Sequence, residues 1–229
     1  MKYTCYIREG YLFAEIDGLG IALIDSGAAG SISERDMATI AGKEVRFTKS
    51  VLGQSIKSIS QILDTEIDAL IGADILSKFE VFIDLGEGTL ILTDEPLKVE
   101  GKVEPIELGI HNIIIIKCTL NGKGHRFILD TGARVSYLAL ELAVGYEVTG
   151  TATDFFPGFG RFETETREAE IGIGGTMLRL RFGTLPMMLE QVFRFMSADG
   201  IIGTELLDYF NIGLSTRRKE MTLQKVGGM

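Results

Sequence analysis

The chain has 229 residues, 45% of them hydrophobic and 24% charged, with a mean hydropathy of +0.21. A chain this long buries roughly 70% of its unfolded surface, so it can build a core without disulfide or metal staples, and its composition excludes a disordered polypeptide. Its net charge is −9, and the one dense basic cluster, Arg217-Arg218-Lys219, reads as a solvated turn rather than a phosphate-binding face, so nucleic acid is not an expected partner.

The longest branched-aliphatic run, residues 113–116, falls far short of the ~20 apolar residues that span a bilayer, so no membrane partner is expected. Two cysteines, Cys5 and Cys118, and two histidines, His111 and His125, make no cluster that could hold zinc. No metal and no cofactor is expected. Any Ser-His or Cys-His nucleophile would have to use one of those two histidines, and both read as surface turn residues. The N-terminus lacks the apolar core and cleavage site of a signal peptide, and the first strand pattern begins within a few residues of Met1. The expected setting is therefore a reducing cytoplasm, with no propeptide.

In chain order, residues 11–24 read as an apolar strand, a Gly turn and a second apolar strand, ending in Asp25-Ser26-Gly27-Ala28. Ser31 stands six residues beyond Asp25, and a short helical pattern is expected to end at Gly42. Residues 45–52 and 55–62 then read as a hairpin about Gly53-Gln54. An apolar strand enters a tight corner at Gly72, followed by a short helix and a terminal hairpin over 81–92. Residues 96–103 form a polar linker. The same plan then recurs: strands about Asn121-Gly122, the sequence Asp130-Thr131-Gly132-Ala133, Ser136, a short helix ending at Gly145, a hairpin about Gly174-Gly175, a corner at Gly203 and a last hairpin. The chain thus divides into an N-terminal lobe, 1–95, the linker, and a C-terminal lobe, 104–229.

One Asp-[Ser/Thr]-Gly arises by chance in roughly one chain in ten of this length. Two, each behind an apolar strand at equivalent points of a repeat, are far more specific. With Leu70-Ile71-Gly72, Ile201-Ile202-Gly203 and the short helices that follow each glycine, the sequence resembles the pepsin/retropepsin-like aspartic proteases over nearly its whole length. The resemblance implies an all-β fold of two pseudo-symmetric retropepsin-like β-barrel lobes, each with one or two short helices, an active-site cleft between them, and a shared sheet of terminal strands. Because the motif is duplicated within one chain, a monomer is expected.

Two carboxylates brought to about 3 Å cannot both ionise, and they share one proton as a coupled pair. The candidate pair is Asp25 and Asp130. The resemblance implies that Ser26 and Thr131 clamp the two loops through their hydroxyls. Gly27 and Gly132 leave space beside the carboxylates, and Leu70-Ile71 and Ile201-Ile202 pack beneath the loops. Ala28 and Ala133 stand where pepsins carry Ser or Thr; alanine cannot donate a hydrogen bond to a carboxylate, so the pair should titrate higher than in pepsins, with a mildly acid to near-neutral optimum.

From Asp25 to Gly72 is 47 residues and from Asp130 to Gly203 is 73, so the second lobe holds 26 more. Most of the surplus lies over 147–168. Residues 153–165 read as a flap with Phe156, Pro157, Gly158, Phe159 and Gly160 near its tip, the phenylalanines either covering apolar substrate side chains or filling the barrel core. A single flap in the second lobe departs from both pepsins and retropepsin dimers. Arg134 is expected in an ion pair, and Met187-Met188 in the core or cleft wall. The reading implied is an aspartic endopeptidase acting on a peptide or protein substrate. The alternatives are a non-proteolytic peptide-binding or scaffold protein on the same fold, and a processing protease with one specific substrate.

Overall fold

The computed structural model describes residues 1–156 and 159–227. Lobe 1 opens with an antiparallel meander of β1 (Lys2–Arg8), β2 (Tyr11–Ile16) and β3 (Gly20–Ile24), and β3 leads directly to Asp25. After β4 (Ile32–Ser33) come the hairpin β5 (Met37–Ile40)–β6 (Lys43–Arg46) and the two-residue strands β7 (Ser50–Val51) and β8 (Gln54–Ser55). Helix α1 (Ile56–Leu63) precedes β9 (Ala69–Ile71), which pairs parallel with β3. The lobe closes with α2 (Ala73–Leu76) and the hairpin β10 (Glu80–Asp84)–β11 (Thr89–Thr93).

Two expectations for this lobe are corrected. The helix ending at Gly42 is instead the strand β5, because Ala41 and Gly42 both take positive φ (47° and 80°) and form a tight hairpin turn into β6. The second arm of the expected hairpin, residues 55–62, is mostly helix α1. Ser55 and Ser58 form a reciprocal capping box, the Ser58 amide donating to Ser55 Oγ (3.3 Å) and the Ser55 amide to Ser58 Oγ (2.9 Å). Ile56, Ile59 and Leu63 then share a buried face at helical spacing.

Lobe 2 is entered through β12 (Lys102–Pro105) and β13 (Glu107–Leu108). It continues through β14 (Ile114–Leu120), β15 (Lys123–Leu129), β16 (Ser136–Leu138) and α3 (Leu140–Ala143). The Asn121-Gly122 turn forms as expected, both residues having positive φ (51° and 73°). Next come the long strands β17 (Val148–Phe156), β18 (Gly160–Ile173) and β19 (Thr176–Gly183). Then follow α4 (Gln191–Met196), β20 (Gly200–Ile202), a 3-10 turn over Thr204–Asp208, and the hairpin β21 (Phe210–Ser215)–β22 (Glu220–Lys225).

The lobes share a ten-stranded sheet in the order β12-β22-β21-β10-β11-β1-β2-β3-β9-β4, in which β10 and β21 pair antiparallel across the pseudo-two-fold, Phe82 opposite Gly213. Lobe 2 is a closed barrel. Its strands run β14-β15-β20-β16-β19-β18, and β18 pairs back to β14 at Leu120 and Ile171. Side chains from both lobes, among them Phe79, Ile83, Leu90, Phe127, Ile202 and Leu214, join in one buried cluster. The large shared core is what fixes the two Asp-bearing loops against each other.

Candidate functional site

Each Asp loop is held by the same set of backbone bonds. The Asp25 amide donates to Ile71 O and the Asp130 amide to Ile202 O, both at 2.9 Å. The amides of Ala73 and Thr204 donate to Ala28 O and Ala133 O (2.8 and 3.0 Å). Ser31 Oγ accepts from the Gly72 amide and Ser136 Oγ from the Gly203 amide (2.8 and 3.1 Å). Gly72 and Gly203 are required here: a Cβ on either would stand 2.6 Å from the carbonyl oxygen of Ala28 or Ala133. Leu70, Ile71, Ile201 and Ile202 are buried beneath the loops.

Across the pseudo-two-fold, Ser26 and Thr131 form a reciprocal clamp. Ser26 Oγ donates to Leu129 O (2.7 Å) and accepts from the Thr131 amide (3.0 Å). Thr131 Oγ1 donates to Ile24 O (2.7 Å) and accepts from the Ser26 amide (3.1 Å). Both side chains are buried, so neither hydroxyl nor its partners can turn to water instead.

The clamp brings Asp25 and Asp130 face to face, and their carboxyl groups are hydrogen-bonded to each other. A Cβ on Gly27 would lie 2.2 Å from the Asp130 carboxyl carbon, and one on Gly132 the same distance from that of Asp25. Only hydrogen fits at those two positions. Asp25 Oδ1 accepts from the amides of Gly27 (3.1 Å) and Ala28 (2.8 Å), whereas Asp130 Oδ1 accepts from the Gly132 amide (2.8 Å). Burial raises the Asp25 carboxyl above its ordinary range, opposed by Asp130 and these two amides. Burial and then the Asp25 charge push Asp130 well above it. Asp25, which accepts two backbone amides against one for Asp130, is the member favoured as carboxylate, and Asp130 is favoured as the acid. Ala28 and Ala133 add no side-chain donor to either.

Residues 147–168 supply the expected hairpin. Strand β17 pairs with the first half of β18, from Gly150 opposite Thr166 to Phe156 opposite Gly160, while the second half of β18 is barrel wall paired with β19. The hairpin is therefore a direct extension of the barrel. Pro157 and Gly158 lie outside the described residues. The phenylalanines divide between the two expected roles. Phe155 is buried in a cluster otherwise drawn from lobe 1, with Tyr11, Phe13, Ile32, Ile59 and Leu63. Phe162 packs on the lobe 2 cluster, Phe156 is half-buried, and Phe159 is exposed with its ring edge-on to Phe162 at 6.0 Å. Arg161 Nε reaches the carbonyl of Ile62 at the end of α1 (2.8 Å), so the hairpin bridges to the opposite lobe.

The buried acid near the turn end of this hairpin, Asp154, was not singled out from sequence. Its carboxylate accepts from Tyr11 Oη (2.7 Å), Tyr137 Oη (2.6 Å) and the Phe155 amide (2.8 Å). The only local signal was an acidic residue beside two phenylalanines in a strand. Three smaller expectations also resolve. Arg134 pairs with Glu9 of lobe 1 (3.9 Å). His111 sits exposed in a 3-10 turn, but His125 lies on β15, half-buried, with Nδ1 3.4 Å from the Asp199 carboxylate. Met187 and Met188 are exposed and not part of the core, because Leu185 and Leu189 take the inward positions of that turn.

No protein-family model matches the chain, and no curated protein matches it by sequence. Among solved structures, soybean basic 7S globulin superposes over 98% of this chain and 94% of its own, at a TM-score of 0.52 and 10% identity. A retropepsin-like aspartic protease from Rickettsia conorii superposes over 56% of this chain and 96% of its own, at a TM-score of 0.37 and 16% identity. The chain has a two-lobed, all-β fold, which it shares with that globulin. No helix among the described residues is long and apolar enough to cross a membrane.

Proposed function

We propose that the protein is an aspartic endopeptidase that hydrolyses peptide bonds in extended segments of a peptide or protein substrate. The observation that carries this reading is the pair of mutually hydrogen-bonded carboxyls of Asp25, buried, and Asp130, half-buried, held by two equivalent loops. Asp25, as carboxylate, takes a proton from water as the water oxygen attacks the scissile carbonyl carbon. Asp130 gives its proton to the carbonyl oxygen. In the tetrahedral adduct, Asp25 passes its proton to the nitrogen as the C–N bond breaks, and Asp130 recovers one from the geminal hydroxyl. The two carboxyls end in their starting states, and no covalent enzyme intermediate forms. The β17–β18 hairpin serves as the lid, pairing with an extended substrate and excluding water.

The test is mass-spectrometric cleavage of a diverse peptide library from pH 3 to 8, wild type beside Asp130→Asn. Cuts made only by the wild type, with a mildly acid to near-neutral optimum, support the reading. Absence of Asp130-dependent cuts at every pH would leave a peptide-binding protein or a single-substrate processor, which a pull-down with Asp130→Asn as a trap then separates.

A further inference from the structure

We infer that Asp154 is a positioning residue for the flap: its carboxylate, shared between Tyr11 of lobe 1 and Tyr137 of lobe 2, latches the β17–β18 hairpin, near its turn, to both lobes. The inference rests on the endopeptidase reading for its purpose, though not for its geometry. Asp154 is 3% exposed, yet it makes no ion pair at 4.0 Å or less among the described residues. A buried carboxylate without a cation is costly unless its lone pairs are filled by donors. Here they are filled by two phenol hydroxyls, one on each oxygen, and by the Phe155 amide. All three partners donate, and this pattern suits the ionised acid.

The two tyrosines come from different lobes. Tyr11 opens β2, whose partner β3 leads to Asp25, while Tyr137 lies in β16, seven residues past Asp130. One side chain on the hairpin is thus tied to the structure behind each Asp loop. The neighbouring residue then strengthens the contact on one side: Phe155 packs edge-on against Tyr11, ring centroids 5.8 Å apart, within the lobe 1 cluster. A hairpin borne by lobe 2 alone would have no reason to stay over lobe 1. Asp154 and Phe155 supply one.

The titratable and charged groups facing Asp154 are Tyr11, Tyr137, Asp25 and Asp130, with Arg134 and Arg161 beyond Tyr11. Burial raises the Asp154 carboxyl, against the hydrogen bonds from Tyr137, Tyr11 and the backbone. Its negative charge in turn adds to the upward push on both Asp25 and Asp130. Removing that charge should therefore lower the titration of the pair, an effect that a purely space-filling role would not produce.

The variants are Asp154→Asn, which keeps the shape but turns one acceptor into a donor, and Tyr137→Phe, which removes one latch bond and leaves the carboxylate. Hydrogen exchange is followed by mass spectrometry in the full chain, with and without Asp25→Asn. Both variants are expected to speed exchange about tenfold over 150–156 and 160–165, the loss of one hydrogen bond to a charged group, while β14 and β15 stay protected. In peptide cleavage, Asp154→Asn is expected to raise KM with kcat largely kept, and to move the acid limb of the pH profile to lower pH. Tyr137→Phe should leave that limb in place. Unchanged exchange over the hairpin in both variants, or exchange that rises equally through the barrel, overturns the inference. If the wild type cleaves nothing, the endopeptidase reading fails on that assay alone, and the exchange measurement still decides on the latch.

Discussion

The two lobes carry one loop plan and put the chain between its fixed points to different uses. In lobe 1, 47 residues from Asp25 to Gly72 make the short hairpin β5–β6, three two-residue strands, α1 and β9; in lobe 2, 73 residues from Asp130 to Gly203 complete a closed barrel and add a long hairpin. Ile40 and Val45 of the short hairpin are fully buried in the shared core, while the long one ends in the exposed Phe159. The difference shows what duplication has to preserve. The loops, their serines and their glycine corners are kept in pairs because the two carboxyls must meet. The long hairpin is not paired, and it reaches from its own lobe to the other, through Phe155 and Arg161.

The sharpest way to break the equivalence of the loops is to neutralise one carboxyl. Asp130→Asn and Asp25→Asn are each expected to lower peptide cleavage by about 10³-fold or more while near-ultraviolet dichroism stays native, because acid and base roles are both needed. Retention of activity in either variant would mean that the pair does not act as a unit.

The hairpins should respond in opposite ways to truncation. Ile40→Ala is expected to cost about 2–5 kcal/mol in urea unfolding, as for any large-to-small change in a closed core. A cost near zero would mean that the lobe 1 hairpin is not part of the closed core. The clamp tests the symmetry more finely. Thr131→Val and Ser26→Ala each leave a buried amide and a buried carbonyl without partners, and each should cost about 2–4 kcal/mol. Clearly unequal costs would show that one lobe, not the pair, carries the loops.

The pH dependence of stability separates the members of the dyad from ordinary carboxylates. Both are raised above their unfolded range, so the folded state binds more protons than the unfolded one between the unfolded and the folded values. Their contribution is fully present below the ordinary carboxylate range near 4 and is lost as pH rises through the folded values. Thermal unfolding of the wild type should thus gain on Asp130→Asn as pH falls from neutral. A difference that does not vary with pH would rule out a raised pair.

How much of this was legible in the sequence follows from how local each feature is. The Asp loops, the Asn121-Gly122 and Gly174-Gly175 turns and the place of the long lobe 2 hairpin were readable, since each is written in a few adjacent residues or in a length difference between repeats. Helix α1 was missed because its capping box uses Ser58 where a Glu or Gln is the stronger signal, and because the Gly53-Gln54 turn before it reads as the centre of a hairpin. The turn at Ala41-Gly42 was read as a helix end because the same positive-φ glycine serves both. Asp154 could not have been placed, because its partner Tyr11 lies 143 residues away and no local pattern brings the two together.

The smallest expected effect falls at the flap tip. Phe159 is 40% exposed and meets Phe162 through an edge contact, so Phe159→Ala should change stability by less than about 0.5 kcal/mol. On the endopeptidase reading, its exposed ring is available to a substrate beneath the hairpin. The variant is therefore expected to raise KM several-fold for peptides with large apolar side chains and to leave small-residue peptides nearly unaffected. Equal changes for both peptide classes would place Phe159 outside the substrate's reach, leaving lid contact to Phe156, which is half-buried closer to the dyad end of the hairpin. The contrast with Ile40 would survive that result, because it depends on burial in the core and not on what the tip touches.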